Sequence, residues 1–141
     1  VNRSGPLARR APLPRSRPAV SSDESQARLL VAARSRGWCE TGDGELASDW
    51  AHRKARSQGG AWSASNGVHL CRACHAWCHN RPTAARDVGL IVPAAGDPER
   101  APVFLAPPGE PADWWLLTPA GGFVLAPYAV PPALYPPRRP R

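Results

Sequence analysis

Lysine is all but missing from this 141-residue chain: Lys54 stands alone beside 17 arginines. With so much alanine, proline and glycine, that bias marks a GC-rich coding sequence and not a function. No stretch approaches the roughly 18 consecutive apolar residues of a membrane span, which excludes a helical membrane protein. The N-terminal arginines lead into no apolar run, only proline and alanine in mixture, so a cytoplasmic protein without a secretory signal is expected. There is no internal repeat. Cysteine is limited to four residues, and without an export signal these are expected to bind metal or stay free rather than pair.

Charge is present in excess but unevenly. Lys plus Arg is 18 against 11 for Asp plus Glu, a net charge of +7. Residues 1–20 carry five arginines and no acid, and residues 138–141 carry three more, leaving ten bases against eleven acids in between. Any nucleic-acid surface in the body must therefore be a local patch. One exists: between His52 and Asp87, six bases (Arg53, Lys54, Arg56, Arg72, Arg81, Arg86) face one acid.

The punctuation of the chain predicts an α+β protein. Residues 1–21 cannot bury enough apolar surface to offset the entropy of ordering, and read as a disordered basic arm. A helix is expected over residues 23–36, with Ser22 as N-cap and Asp23 and Glu24 in the first turn. Ala27, Leu30, Val31 and Arg34 lie on one face, and Gly37 ends the helix. Residues 46–52 read as an extended piece of a hairpin, Asn66-Gly67 as a turn, and residues 71–79 as a turn entering a helix. Pro82 opens a further helical turn. Leu90 to Val92 reads as a short strand. Val103 to Leu105 is extended, and Asp113 to Thr118 and Phe123 to Leu125 flank a Pro-Ala-Gly-Gly hairpin signature. The unbroken apolar run Trp114 to Leu117 suggests packing against the body rather than a half-exposed strand. Residues 127–141 are proline- and arginine-rich and read as a disordered tail of polyproline character. The expected division is thus 1–21, a body over 22–92, a β-hairpin extension over 93–126, and the tail.

The chemistry concentrates between residues 39 and 79. His75 and His79 are four apart on the helix expected there, so both imidazoles face one side and can approach one divalent cation. His52 ends the facing strand, where it can act as a general base on water. Arg53, Lys54 and Arg56 follow at once, where a phosphodiester would need neutralising. Trp50 and Trp62 flank this segment and can touch bases or sugars; Trp38, Trp77, Trp114 and Trp115 are expected in the core.

The stretch A-S-D-W-A-H-R-K-A-R-S-Q-G-G, the downstream S-N, and L-C-R-A-C-H-A-W-C-H together resemble the HNH endonucleases common in phages of GC-rich actinobacterial hosts. The resemblance spans about residues 24–126, with its specific motifs at 38–82. It implies a ββα-metal finger in which a hairpin packs on a helix around one cation (Mg²⁺, Mn²⁺, Ni²⁺ or Zn²⁺). His52 then matches the general base, Asn66 the asparagine that holds the strand–helix loop, and His75 the final histidine, a ligand of the catalytic ion. His79 matches a further ligand. Arg53, Lys54, Arg56 and Arg72 would contact DNA, giving products with 3′-hydroxyl and 5′-phosphate ends. No small-molecule cofactor and no membrane partner is implied; DNA is, with homing or genome packaging beside a phage terminase as the setting. Two positions depart from the pattern. Ala51 stands where many members carry a metal-binding His or Asp, and Asp49, two residues earlier on the same strand face, would substitute directly or through water. Gly42 stands where zinc-stabilised members carry a cysteine. Cys39, Cys71, Cys74 and Cys78 then either complete a structural zinc site or form a buried, metal-free cluster.

Three functions follow as expectations: a metal-dependent DNA endonuclease, a catalytically silent zinc-binding DNA module that keeps the scaffold, and an interaction protein recruited through its basic and proline-rich ends.

Overall fold

The structure, a computed structural model, describes residues 22–127 together with residues 132, 135 and 136. The basic arm expected over residues 1–21 lies outside them, as does most of the tail. Ser22–Ser35 form helix α1, with Asp23 and Glu24 at its N-terminal end, where the helix dipole favours acids. Ala27 and Val31 turn inward as the periodicity requires, and Arg34 joins them. The helix ends a residue earlier than expected: Arg36 already takes a left-handed φ of 51°, and Gly37 follows at 80°.

Strands β1 (Asp49–His52) and β2 (Gly67–Leu70) form an antiparallel hairpin in which Asp49 faces Leu70 and His52 faces Gly67. Leu46, expected at the start of β1, makes only an isolated bridge to Trp38. Alternation along β1 puts Asp49 and Ala51 on one face and Trp50 and His52 on the other. Gly67 has to be glycine, because a Cβ there would run into the Trp50 ring.

Cys71 caps the next helix, its Sγ accepting a hydrogen bond from the Cys74 N–H at 3.4 Å. Helix α2 (Arg72–Asn80) follows, and α3 (Pro82–Asp87) opens on its proline. Strands β3 (Val103–Leu105), β4 (Asp113–Leu117) and β5 (Phe123–Leu125) then form an antiparallel sheet in that order. The two sheets share one core: Val68, Leu70, Cys74 and Cys78 pack in a single cluster with Val88, Val103, Leu105, Trp115 and Leu117. The molecule is a small α+β fold.

Two expectations fail for tertiary reasons. Leu90 to Val92 form no strand; they are irregular, with Leu90 and Val92 buried and the Val92 N–H donating to the Arg53 carbonyl at 2.8 Å. The Trp114–Leu117 run does pack against the body, as an alternating strand with Trp115 and Leu117 inward while Trp114 meets the Phe104 ring edge-on from the partly exposed side. Trp38, expected in the core, is 46% exposed. Among the described residues no helix is long and apolar enough to cross a membrane.

Candidate metal centres

Two groups of metal-ligating side chains emerge, one buried and one near the surface. The buried group is Cys39, Asp43, Cys71 and Cys74, whose ligand atoms all lie within 4.8 Å of one another. Cys39 sits at the start of the turn before β1, Asp43 in that turn, and Cys71 and Cys74 at the N-terminus of α2. Asp43 Oδ2 accepts from the Cys71 thiol at 2.9 Å and from the Cys74 thiol at 3.1 Å. Thr41 Oγ1 bridges Cys39 Sγ at 3.1 Å and Cys74 Sγ at 3.3 Å. A tetrahedral zinc ion with Zn–S near 2.3 Å holds its ligand atoms roughly 3.5–3.8 Å apart, so this donor set fits with small adjustments.

The electrostatics of the cluster divide, favouring the thiolate at Cys39 and the protonated thiol at Cys71 and Cys74. Cys39 is brought down to about 7, chiefly by the hydrogen bond from Cys74, against the opposing effect of burial. Burial and the Asp43 hydrogen bond push Cys71 up to about 11, and Cys74 is raised further still, by Cys39 and then by burial. Burial raises Asp43, but hydrogen bonds led by the Cys71 thiol outweigh it and hold the carboxyl below its ordinary range. The fold can thus bind a metal ion here, with three cysteines and one aspartate.

Asp43, and not Cys78, completes this set. Cys78 is 6% exposed in the apolar core, where burial pushes its thiol up to about 12. Four residues of helix rise by about 6 Å, which carries Cys78 one turn past the centre that Cys74 joins. The signal for Asp43 was present in the sequence: an acid between two glycines, directly after Gly42, where the resemblance leads one to expect a cysteine.

The second group lies where α2 crosses β1. His75 Nε2 and His79 Nε2 are 3.1 Å apart. Two imidazoles on one ion at about 2.0–2.1 Å place their nitrogens roughly 3.3 Å apart, so this pair fits a single divalent cation. On its other side, His75 Nδ1 lies 2.9 Å from Asp49 Oδ2. That hydrogen bond holds Asp49 below the ordinary carboxylate range, with help from Ser48 and Arg72. A carboxylate on Nδ1 fixes the imidazole so that Nε2 presents its lone pair, the usual support behind a metal-binding histidine. The Asp49 carboxylate thus meets His75 at Nδ1, on the side of the ring away from the two converging Nε2 atoms. Its second oxygen takes the Ser48 hydroxyl at 2.9 Å and lies 3.7 Å from the exposed Arg72 guanidinium.

His52 lies apart from both groups. It is on the opposite face of β1 from Asp49, and no hydrogen bond or ring contact joins it to His75 or His79. Its neighbours are indoles: the Trp62 ring at 4.3 Å and the Trp50 ring at 5.9 Å, both near-perpendicular. Burial first, then Arg56 and Arg28, lower its pKa from the ordinary imidazole value. The loop beyond it is held by Asn66, which is fully buried. Asn66 Oδ1 accepts from the Lys54 N–H at 2.7 Å, and Nδ2 donates to the carbonyls of Lys54 and Ala61, each at 3.0 Å.

The expected DNA-contacting residues divide. Arg53 is not on the surface: it is 1% exposed and donates to the carbonyls of Gly89, Ser65, Pro98, Ala101 and Pro102. It pins the loop before β3 to the hairpin and has nothing left for a phosphate. Lys54 is half-buried, with Nζ donating to the Gly96 carbonyl at 3.2 Å. Arg56 and Arg72 are exposed, as are Arg81 and Arg86. Comparison of the chain with known protein families, curated proteins and solved structures finds no match.

Proposed function

We propose that this protein is a metal-dependent endonuclease of the HNH type that hydrolyses DNA phosphodiester bonds. The observation that carries the reading is the Asp49–His75–His79 relay: two imidazole nitrogens converging at 3.1 Å, one of them oriented by a carboxylate from the adjoining strand. A lone i, i+4 histidine pair is common; one braced in this way is what a metal site needs. When bound by His75 and His79, a divalent cation supplies electrostatic stabilisation of the developing charge on the scissile phosphate. Arg56 and Arg72 draw the DNA backbone in. His52, kept neutral by its surroundings, accepts the proton from the attacking water. The water oxygen bonds to phosphorus, the P–O3′ bond breaks, and the 3′ oxygen takes a proton from solvent, leaving 3′-hydroxyl and 5′-phosphate ends. Because His52 is on the other face of β1, the phosphodiester must lie across the end of that strand. The cysteine–aspartate centre, loaded with zinc, would hold α2 against the turn before β1 and so fix His75 in place.

A second reading has its own support. Ala51 offers no ligand, and His52 is turned toward tryptophans, which suits a zinc-stabilised DNA-binding module without catalysis. Plasmid nicking with Mg²⁺, Mn²⁺, Ni²⁺ or Zn²⁺ separates the two. The wild type is expected to cut, and His52→Ala and His75→Ala to lose about 100-fold or more. If all three bind DNA and none cuts with any cation, the module reading replaces the nuclease.

A further inference from the structure

Three ring nitrogens in one aromatic group are buried without any hydrogen-bond partner: Trp50 Nε1, His52 Nε2 and Trp62 Nε1. No other side-chain nitrogen or oxygen among the described residues shares that state. Buried orphan polar atoms are rare enough to need an explanation. The rings contact one another, with Trp50 and Trp62 at 5.3 Å and His52 edge-to-face with both. An aromatic face is electron-rich, so it accepts an N–H and repels a lone pair. Neither indole N–H is within hydrogen-bond reach of His52 Nε2, so a bare lone pair there would go unpaired, whereas an Nε2–H has π faces to address.

We propose that Trp62, backed by Trp50, is a positioning residue that fixes the tautomer of His52, holding the proton on Nε2 so that Nδ1 is the proton-accepting nitrogen. The inference deepens the nuclease reading and rests on it for its catalytic meaning, but not for its test. It gives Asn66 a physical route to the base. Asn66 Nδ2 grips the Ala61 carbonyl, which sets the next residue, Trp62, against His52. It also explains the arginines on the outer side. The Arg28 guanidinium lies 4.9 Å from the Trp62 ring centre and 5.8 Å from that of Trp50, and Arg56 lies 5.4 Å from Trp62. Stacked there, they press the indoles inward and disfavour an imidazolium; Glu24 is the one acid acting on His52, and its effect is the smallest. Gly67 leaves the room in which the Trp50 ring lies.

Long-range ¹H–¹⁵N correlation of the histidine rings in the ¹⁵N-labelled full chain, as purified and near pH 8, reads the tautomer directly. The expected wild-type result is one tautomer at His52, with pyrrole-like Nε2 and pyridine-like Nδ1, unaltered in Trp62→Phe. Trp62→Leu keeps an apolar cover but removes the π face; it is expected to give a mixture at His52 while His69 keeps its wild-type signals as an internal control. The pH profile of cleavage serves as a second readout, with its acid limb moving to higher pH in Trp62→Leu and staying in place in Trp62→Phe. A mixed or Nδ1-protonated His52 in the wild type overturns the proposal, as does a Trp62→Leu spectrum identical to the wild type. A chain that cuts no DNA but shows the expected tautomers sinks the nuclease reading alone.

Discussion

Arg53 and Arg56 are three residues apart, and each would pass for a phosphate contact. Their surroundings give them opposite jobs. Arg53 is a buried cation without a carboxylate; its charge is spread over five carbonyl oxygens, and burial lowers its pKa only to about 9. Lysine has neither the planar fork nor the five donors. Arg53→Lys is expected to cost about 2–4 kcal/mol in chemical denaturation and to leave the salt dependence of DNA binding untouched. Arg56→Gln is expected to do the reverse, reducing the slope of log K against log salt by about one. A stable Arg53→Lys protein with a reduced slope would return Arg53 to the DNA surface. Asp49 allows a similarly sharp test. If it works by orienting His75, Asp49→Ala should weaken cation affinity about 10–100-fold, read from the cation dependence of cleavage. Nicking at wild-type cation affinity in that variant would remove Asp49 from the site.

At the scale of elements, the hairpin and the N-terminus of α2 matter most. Cys71 both caps α2 and joins the cysteine–aspartate centre, so a metal there ties the helix to the turn that carries Asp43. Metal analysis should find one zinc per chain in the wild type and in Cys78→Ser, and much less in Asp43→Ala and Cys71→Ser. Loss of zinc in Cys78→Ser with retention in Asp43→Ala would exchange their roles. The hairpin also carries a pH signature. His52 and His69 are both held below the ordinary imidazole value of 6.5, mainly by burial. A depressed folded pKa means that the unfolded chain binds the proton first. Their contribution is therefore complete above 6.5 and is lost as the pH falls below it. Asp43 and Asp49, depressed from 3.8, act only at more acidic pH. Between about pH 6.5 and 5 the wild type should lose stability more steeply than His52→Gln, as measured by urea midpoints. Equal slopes would mean that His52 is solvated.

The same scale separates what the sequence discloses from what it hides. Helix α1 was legible because one face repeats at helical spacing and Gly37 stops it; α2, α3 and the β4–β5 hairpin announce themselves through Cys71, Pro82 and the Pro119–Gly122 turn. The pairing of His75 with His79 follows from helical geometry alone. What stayed hidden depends on contacts distant in sequence. The buried Arg34–Glu40 ion pair, with Nε 2.6 Å from Oε1, looks in the sequence like two surface charges. Asp43 becomes a candidate ligand only because Cys71 and Cys74 arrive beside it from some thirty residues away. His52 sits at the expected place in the strand, but which face it takes depends on β1 register, and β1 proved to begin at Asp49.

For the whole molecule, the decisive fact is a single core. Residues 22–92 and 93–126 read as a body and a β-hairpin extension packed on it, and Leu70, Cys74 and Cys78 share one apolar cluster with Val103, Leu105, Trp115 and Leu117. Arg53 reinforces the union by bonding across to the carbonyls of Ala101 and Pro102. The candidate metal centre lies at the edge of this core, with Cys39, Cys71 and Cys74 belonging to the same cluster. Removing its cation would leave Asp43 beside thiols at the margin of the packing, and the loss has no boundary at which to stop. Native-state amide exchange is therefore expected to show β2 and β4 losing protection together when a chelator strips the protein, with the same opening free energy in both strands. If β4 remained protected while β2 exchanged freely, the extension would be a separate unit and the metal a local fastening of the hairpin alone.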